Sequence, residues 1–313
     1  MLRTHLSEQA LANSALCVAM LLWGSSFIAL KIAVSAFDPM VMVFGRMATS
    51  LVALIVLWVL MRRKAEPVRL QPGDIKFLVL LALCEPCLYF VFEGYAMHYT
   101  TASQAGMISG VLPLGVVAAA WIFLGERLLP RVWVGFVLAV AGVFWLSYGA
   151  IATENATNPV LGNSLEACAM LCGALYIVCA KRLSAACSPL FITLVQSLLG
   201  SLFFLPTLAL PIVKLPEHFP LWPTLAVVYL GVGVTLISFL CYNYAIKRVS
   251  AARTGAFINL VPVIALLMGI VFLDERLTLG QGCACVLVLG GVVVSQWKAS
   301  PVAPTSPTSG SLS

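Results

Sequence analysis

The chain has little charge for its length. Of 313 residues, 18 are Lys or Arg and 12 are Asp or Glu, so charged side chains make up 10% of the sequence. A soluble domain carries roughly 25%. Histidine is scarcer still, with three in all, at positions 5, 98 and 218. That scarcity leaves no histidine cluster for a metal centre, and neither a phosphate-cradling G-x-x-x-x-G-K-[ST] loop nor an H-E-x-x-H zinc helix occurs. The net charge of +6 is spread in short runs between apolar stretches, which excludes nucleic acid as a partner. No connecting loop is long enough to hold a soluble domain.

Apolar sequence fills the space that charge leaves. Hydrophobic residues make up 61% of the chain and the mean hydropathy is +1.03. Runs of about 20 apolar residues, enough to cross a hydrocarbon core of about 30 Å, recur from the N-terminus to Trp297. They predict ten spans, at roughly 11–34, 39–61, 75–97, 102–124, 131–150, 163–182, 189–212, 221–245, 252–273 and 279–297. The fold class expected is an all-α integral membrane protein. Residues 1–10 and 298–313 are expected to be cytoplasmic, the latter a disordered Ser/Pro/Thr-rich tail.

Basic residues orient the spans. With the N-terminus inside, 14 of the 18 Lys and Arg fall on the cytoplasmic side, two (Lys214 and Arg276) outside, and Lys31 and Arg46 within or at the edge of spans. This asymmetry predicts that both termini are cytoplasmic.

The sequence also repeats itself. The segment from Tyr95 to Leu128 aligns without a gap to that from Tyr244 to Leu277 at an offset of 149, pairing Gly106 with Gly255, Pro113 with Pro262, and Glu126-Arg127 with Glu275-Arg276. At an offset of 150, Asn13-Ser14 meets Asn163-Ser164, Lys31 meets Lys181, and Pro39 meets Pro189. Two five-helix repeats, 11–150 and 163–297, are thus expected around an outer connecting loop at 151–162. Five is odd, so the copies cross in opposite directions, with Glu126 inside and Glu275 outside. Inverted repeats around a midplane site are the architecture of secondary transporters.

The first-span WGSSFIALK and the paired PLGVVAAAWIFLGERL and PVIALLMGIVFLDERL resemble the EamA branch of the drug/metabolite transporter superfamily, over about residues 10–297. The resemblance implies a ten-helix inner-membrane carrier with a central cavity, usually exporting amino acids or other small metabolites. It implies no enzyme activity, no cofactor and no single substrate. A small cationic drug or amine exporter, drawn to intramembrane carboxylates, is the alternative within transport, and a membrane sensor or scaffold the alternative outside it. Proton coupling and a homodimer are both compatible with this reading.

Polar residues inside spans are the candidate substrate-binding groups, because a charge at mid-membrane is costly and is driven towards a cavity. Glu85, Tyr89 and Glu93 step by four along the third span, down one broad side of a helix that Pro86 should bend. Glu85 is the deeper carboxylate and Glu93 lies nearer the outer end. Trp23 and Ser25 break the first span, Gln104 opens the fourth, and Tyr176, Asn243 and Asn259 interrupt the sixth, eighth and ninth. Interfacial anchoring is the alternative role for each aromatic among them. Pro113 and Pro262 fall mid-span and are expected to free the carbonyls of Ser109 and Ile258, for ligand or for packing. Arg46 either snorkels or neutralises a carboxylate, and its counterpart in the second half is the uncharged Gln196. Glu166, just inside the outer end of the sixth span, is expected at the interface. The Glu-Arg turns read as helix caps, Gly106 and Gly110 as a weak packing frame, and Asn155-Ala156-Thr157 as a chance glycosylation triplet. Cys84 and Cys87 form a C-x-x-C frame with no second pair to complete a zinc site, so the ten cysteines read as small buried hydrophobes.

Overall fold

The computed structural model describes residues 2–61, 71, 73–124, 129–183, 186–246, 248–249 and 257–296. The Glu126-Arg127-Leu128 turn, Gly255 with the predicted start of the ninth span, Trp297 and the tail lie outside the described residues. So do Arg62, Arg63, Lys64, Arg69, Lys247, Arg253 and Lys298, which weigh in the orientation argument.

Among the described residues the regular structure is helical. The elements are α1 Leu2–Val34, α2 Pro39–Met61, α3 Asp74–Ala82, α4 Tyr89–Tyr99, α5 Ala102–Ser109, α6 Leu112–Leu124 and α7 Pro130–Tyr148. After these come α8 Pro159–Leu183, α9 Pro189–Phe204, α10 Leu221–Tyr229, α11 Ser238–Ile246, α12 Leu260–Leu273 and α13 Leu279–Gln296. Two π-helical segments, π1 Leu83–Leu88 and π2 Leu230–Ile237, join α3 to α4 and α10 to α11. Nine helical stretches among the described residues are long and apolar enough to cross a membrane, and α12 is a shorter apolar helix.

Local chemistry sets the helix ends. Pro130 and Pro189 open α7 and α9, where a missing N–H costs nothing. The Ser188 hydroxyl accepts from the Phe191 N–H at 3.3 Å, and the Thr101 hydroxyl accepts from the Gln104 N–H at 3.2 Å. Asp274, at φ 51°, ends α12 in the left-handed region. Immediately after it, the Glu275 carboxylate accepts from the N–H groups of Ala102 and Ser103, each at 2.8 Å. A carboxylate on two free N–H groups at a helix N-terminus satisfies donors and meets the positive end of the dipole. Glu275 therefore ties the α12–α13 turn to the start of α5. Lys31, at the end of α1, donates to the carbonyls of Met97 and Thr100 at 2.8 and 2.7 Å and to that of Asn155.

Three boundaries differ from the sequence expectation. The first helix begins at Leu2 rather than near residue 11, so most of the expected N-terminal segment is helical. The sixth begins at Pro159, because proline initiates a helix well. The seventh ends at Phe204 and passes through a 3-10 turn, Pro206–Ala209, since Pro206 cannot continue the α pattern. Pro113 and Pro262 sit in the first turns of α6 and α12, just after turns at residues 110–111 and 259 that interrupt the helices.

The helices pack around α1, α2, α4, α8 and α12, while α7 lies along α13 at the periphery. The Gly106/Gly110 frame faces α12: a Cβ at Gly106 would stand 2.2 Å from that of Ala265, and Gly110 lies against Pro262. Small residues here let two backbones meet closely.

Candidate functional site

The interior polar groups gather where α2, π1, α4 and π2 meet. Glu85 is extended within π1, at φ −145° and ψ 116°, so the third span is broken there rather than merely bent. The Glu85 carbonyl accepts from the Gln196 amide of α9 at 3.1 Å. One turn further along α4, the Tyr89 hydroxyl donates to Glu93 at 3.1 Å. Arg46 of α2 closes the group. Its guanidinium bonds Glu93 Oε2 at 3.0 Å and Thr235 Oγ1 at 3.0 Å, and stacks 3.9 Å over the Phe90 ring centroid. Thr235 in turn donates to the carbonyl of Leu230, five residues earlier, in the π register. Arg46 and Glu93 are 3% and 4% exposed, so this is a desolvated ion pair whose remaining hydrogen bonds are supplied by neighbours.

A cavity of about 100 Å³ opens beside this group. Its polar wall holds Arg46, Glu85, Tyr89, Glu93, Ser26 and Ser109. Its apolar wall includes Trp23, Tyr176, Phe239 and Tyr242, stacked edge to face or tilted, with Trp23 to Phe239 at 5.5 Å and Tyr176 to Phe239 at 6.1 Å. A hollow of about 10 Å³ adjoins it, between Glu85, Gln196 and Thr235, with room for about one water. A charged and hydroxylated wall facing an aromatic one suits a small amphipathic ligand.

The cavity thus gathers Trp23, Glu85, Tyr89, Glu93 and Tyr176 from the sequence candidates. Four others face elsewhere. Ser25 bonds the Tyr229 hydroxyl at 2.5 Å on the side of α10, and its neighbour Ser26, about 100° round the helix, lines the cavity instead. Gln104 accepts from Asn163 at 2.9 Å, in a network where Asn163 also accepts from Thr100 at 2.6 Å and donates to Ser147 at 3.2 Å. Asn259 donates to Gln296 at 2.9 Å. Asn243 is half-buried and not among the residues lining the cavity.

Three buried polar groups at or near the cavity are not among the substrate-binding candidates of the sequence. Arg46 neutralises a carboxylate rather than snorkelling, and its intramembrane charge is the signal that marks it. Thr235 gives no signal at all. Glu166, expected at the interface, is instead fully buried, at 0% exposure. It shares a face of α8 with Gly162, Met170 and Gly173, which lie against Thr100, the cavity and the Tyr89 ring. Among the described residues no group of three His, Cys, Asp or Glu could hold a metal ion. Cys84 and Cys87 are buried, but Cys17, Cys168 and Cys283 are exposed on the outside of the bundle, where a thiol is apolar enough to face lipid.

The chain is similar to known membrane transporters. The chain is 27% identical over 297 residues to the uncharacterized transporter YetK of Bacillus subtilis, covering 93% of this chain and 88% of the relative. It is 26% identical over 264 residues to a probable terminal-alkyne amino-acid exporter of Streptantibioticus cattleyicolor, covering 83% and 85%. A solved crystal structure superposes with a TM-score of 0.65 at 23% identity, covering 92% of this chain and 97% of that one, and shows a shared fold. The EamA-like transporter family matches twice, over residues 10–148 and 160–297, and the chain belongs to that family of multi-pass membrane transporters.

Proposed function

We propose that the protein is a secondary carrier that moves a small amphipathic metabolite, an amino acid or a close relative, across the plasma (inner) membrane by alternating access, with export the favoured direction. The observation that carries this reading is the cavity, which sets a guanidinium and two carboxylates against an aromatic wall. A zwitterion would place its carboxylate towards Arg46, its ammonium towards Glu85, and its side chain against Trp23 and Phe239. Glu85 suits that role because its carboxylate, unlike that of Glu93, is not in the ion pair with Arg46.

The architecture proposed is ten crossings in two inverted repeats, 11–150 and 163–297, joined by the outer segment 151–162, with residues 1–10 and 298–313 inside. It is supported by the repeated sequence and by the contacts that run between halves: Arg46 to Thr235, Gln196 to Glu85, and Glu275 to the start of α5. Nine apolar stretches long enough to cross, with the shorter apolar helix α12, support a count of ten. A cytoplasmic position of both termini is supported by the charge bias. Impermeant thiol labelling of single-cysteine variants at positions 126 and 275 should mark opposite faces; labelling from one face would end the inverted-repeat reading.

The substrate class is tested by counterflow in proteoliposomes, using a panel of zwitterionic amino acids and a panel of primary amines. Saturable exchange of amino acids is expected. Exchange of amines alone would favour the cationic reading, for which the excess of carboxylates over guanidinium at the site is the supporting observation. No saturable exchange of either panel would overturn the proposal.

A further inference from the structure

Glu166 has no part in the reading above. It does not line the cavity; it lies two turns into a membrane-length helix, with 0% exposure and no hydrogen-bond partner on either carboxylate oxygen among the described residues. An ionised carboxylate left alone in such a place costs many kcal/mol, far more than the few that hold a domain together. Either a cation or a proton must therefore cancel its charge. The surrounding elements offer no cation for it. From α4 it faces Glu93 and Tyr89, an acid and a phenol. Arg46 of α2 is engaged by Glu93, Thr235 and the Phe90 ring. The α5 and α7 neighbours Gln104 and Ser147 do not titrate, and the described part of α6 has no titratable residue. From π1 come Glu85, Cys84 and Cys87. The remaining charges near α8, Lys76 and Asp74 on α3 and its own Lys181 and Arg182, lie at its far end.

We infer that Glu166 is a dissociable proton-binding site, distinct from the substrate cavity, whose occupancy sets the charge that faces Glu93. With the proton on Glu166, Glu93 faces no negative charge from α8 and its ion pair with Arg46 is closed. Release breaks the Glu166 O–H bond and passes the proton towards water, leaving a carboxylate on Glu166. The carboxylates of Glu166 and Glu93 then repel one another, a strain on the Glu93–Arg46 pair relieved by an ammonium group in the cavity or by rearrangement of the pair. The hydroxyl and amide network of Thr100, Asn163, Gln104 and Ser147 begins one helical turn from Glu166 and runs to the Thr100 carbonyl held by Lys31. It supplies a polar route away from the cavity. The repeat adds an independent point: the position equivalent to Glu166 at the 150-residue offset is Leu16, which is also fully buried. The packing at this place does not need a carboxyl, since its counterpart is filled by leucine.

The inference is tested without any substrate, so it can fail while the transporter reading stands, and the reverse. Purified full-length protein in lipid nanodiscs is examined by infrared spectroscopy near pH 7, with deuterium exchange to mark the carbonyl stretch of protonated carboxyl groups. The wild type should show this band. Glu166→Gln should lose one component of it, and Glu217→Gln, at an exposed loop position, should lose none. A folded Glu166→Gln with an unchanged band, or a wild type without the band, would overturn the assignment. Should Glu166→Gln not fold, Glu166→Asp keeps the acid and must shift the band; an unshifted band overturns the assignment equally.

Discussion

The two π-helical segments, π1 and π2, occupy equivalent places in the two halves, and each receives a polar side chain from the second helix of the other half. Gln196 of α9 reaches the Glu85 carbonyl in π1 at 3.1 Å, and Arg46 of α2 reaches the Thr235 hydroxyl in π2 at 3.0 Å. Arg46 and Gln196 are the same position of the repeat, 150 residues apart. The scaffold is therefore shared and the charge is not. An amide serves where a broken helix only needs a freed carbonyl satisfied. A guanidinium is required where a carboxylate, Glu93, must be neutralised in low dielectric. The difference separates what the repeat does for folding from what one copy adds for chemistry.

Making the two regions alike should have the largest effect. Arg46→Gln leaves Glu93 buried without its ion-pair partner, and removing one member of such a pair costs about 3–5 kcal/mol. A large fall in thermal stability in detergent is expected, together with loss of flux. Adding Glu93→Gln removes the stranded charge and should recover most of the stability but not the flux. Recovery of both would reduce Arg46 to a structural role.

Next comes the contrast between carboxylates on one helix side. Glu93 is committed to Arg46 and Tyr89, whereas Glu85 presents its carboxylate to the cavity through the break in π1. Glu85→Gln is expected to leave the melting temperature nearly unchanged while weakening apparent substrate affinity about tenfold, a loss of about 1.4 kcal/mol. Glu93→Gln should lower stability more than Glu85→Gln does. Proteoliposome flux at matched protein levels, with melting curves of both variants, decides the order. A Glu85→Gln variant of wild-type affinity would move the substrate site towards Arg46 and the aromatic wall.

Backbone approach gives a third contrast. Gly231 in π2 sits under α2, where a Cβ would stand 2.0 Å from Thr49 Oγ1 and 2.6 Å from the Arg46 carbonyl. Gly200 on α9 faces Met47 Sδ and Pro86 Cγ, each at 2.7 Å. Backbone cannot yield as a flexible methionine can. Gly231→Ala should cost about 1–3 kcal/mol by overpacking, and Gly200→Ala less. Equal melting temperatures for the two variants would contradict this account.

How much of this was legible beforehand follows from the same physics. The membrane class and the gathering of Glu85, Tyr89 and Glu93 were readable, because they depend on composition and on spacing along the chain. Which way a given side chain faces was not. In a soluble helix, polar residues mark the solvent side; here lipid and protein interior are both apolar, so the pattern around a helix carries little direction. Ser25 and Ser26 are equivalent in sequence terms, yet one bonds Tyr229 and the other lines the cavity. Gln104 and Asn259 were visible as polar and proved to be bonded to each helix's neighbours. Glu166 sits near a span end in sequence but inside the bundle in space, because α8 starts at Pro159 and runs its buried face along α4.

The smallest expected effect concerns the thiols that flank Glu85. Cys84 and Cys87 are both buried, beside the break in π1, and a C-x-x-C frame invites a redox or metal reading. Their surroundings argue against one. Cys84 packs in an apolar cluster with Leu81, Tyr176, Cys179 and Phe239, and no histidine or second cysteine pair stands with them to complete a tetrahedral site among the described residues. The two act as small apolar fillers, so replacing both by alanine removes little volume and no charge. The double variant Cys84→Ala with Cys87→Ala should therefore transport within a few-fold of the wild type, and its flux should be indifferent to chelators and reductants. Near-total loss of flux in a well-folded double variant, or one zinc bound per chain, would show that π1 carries thiol chemistry that π2, which has no cysteine, does not.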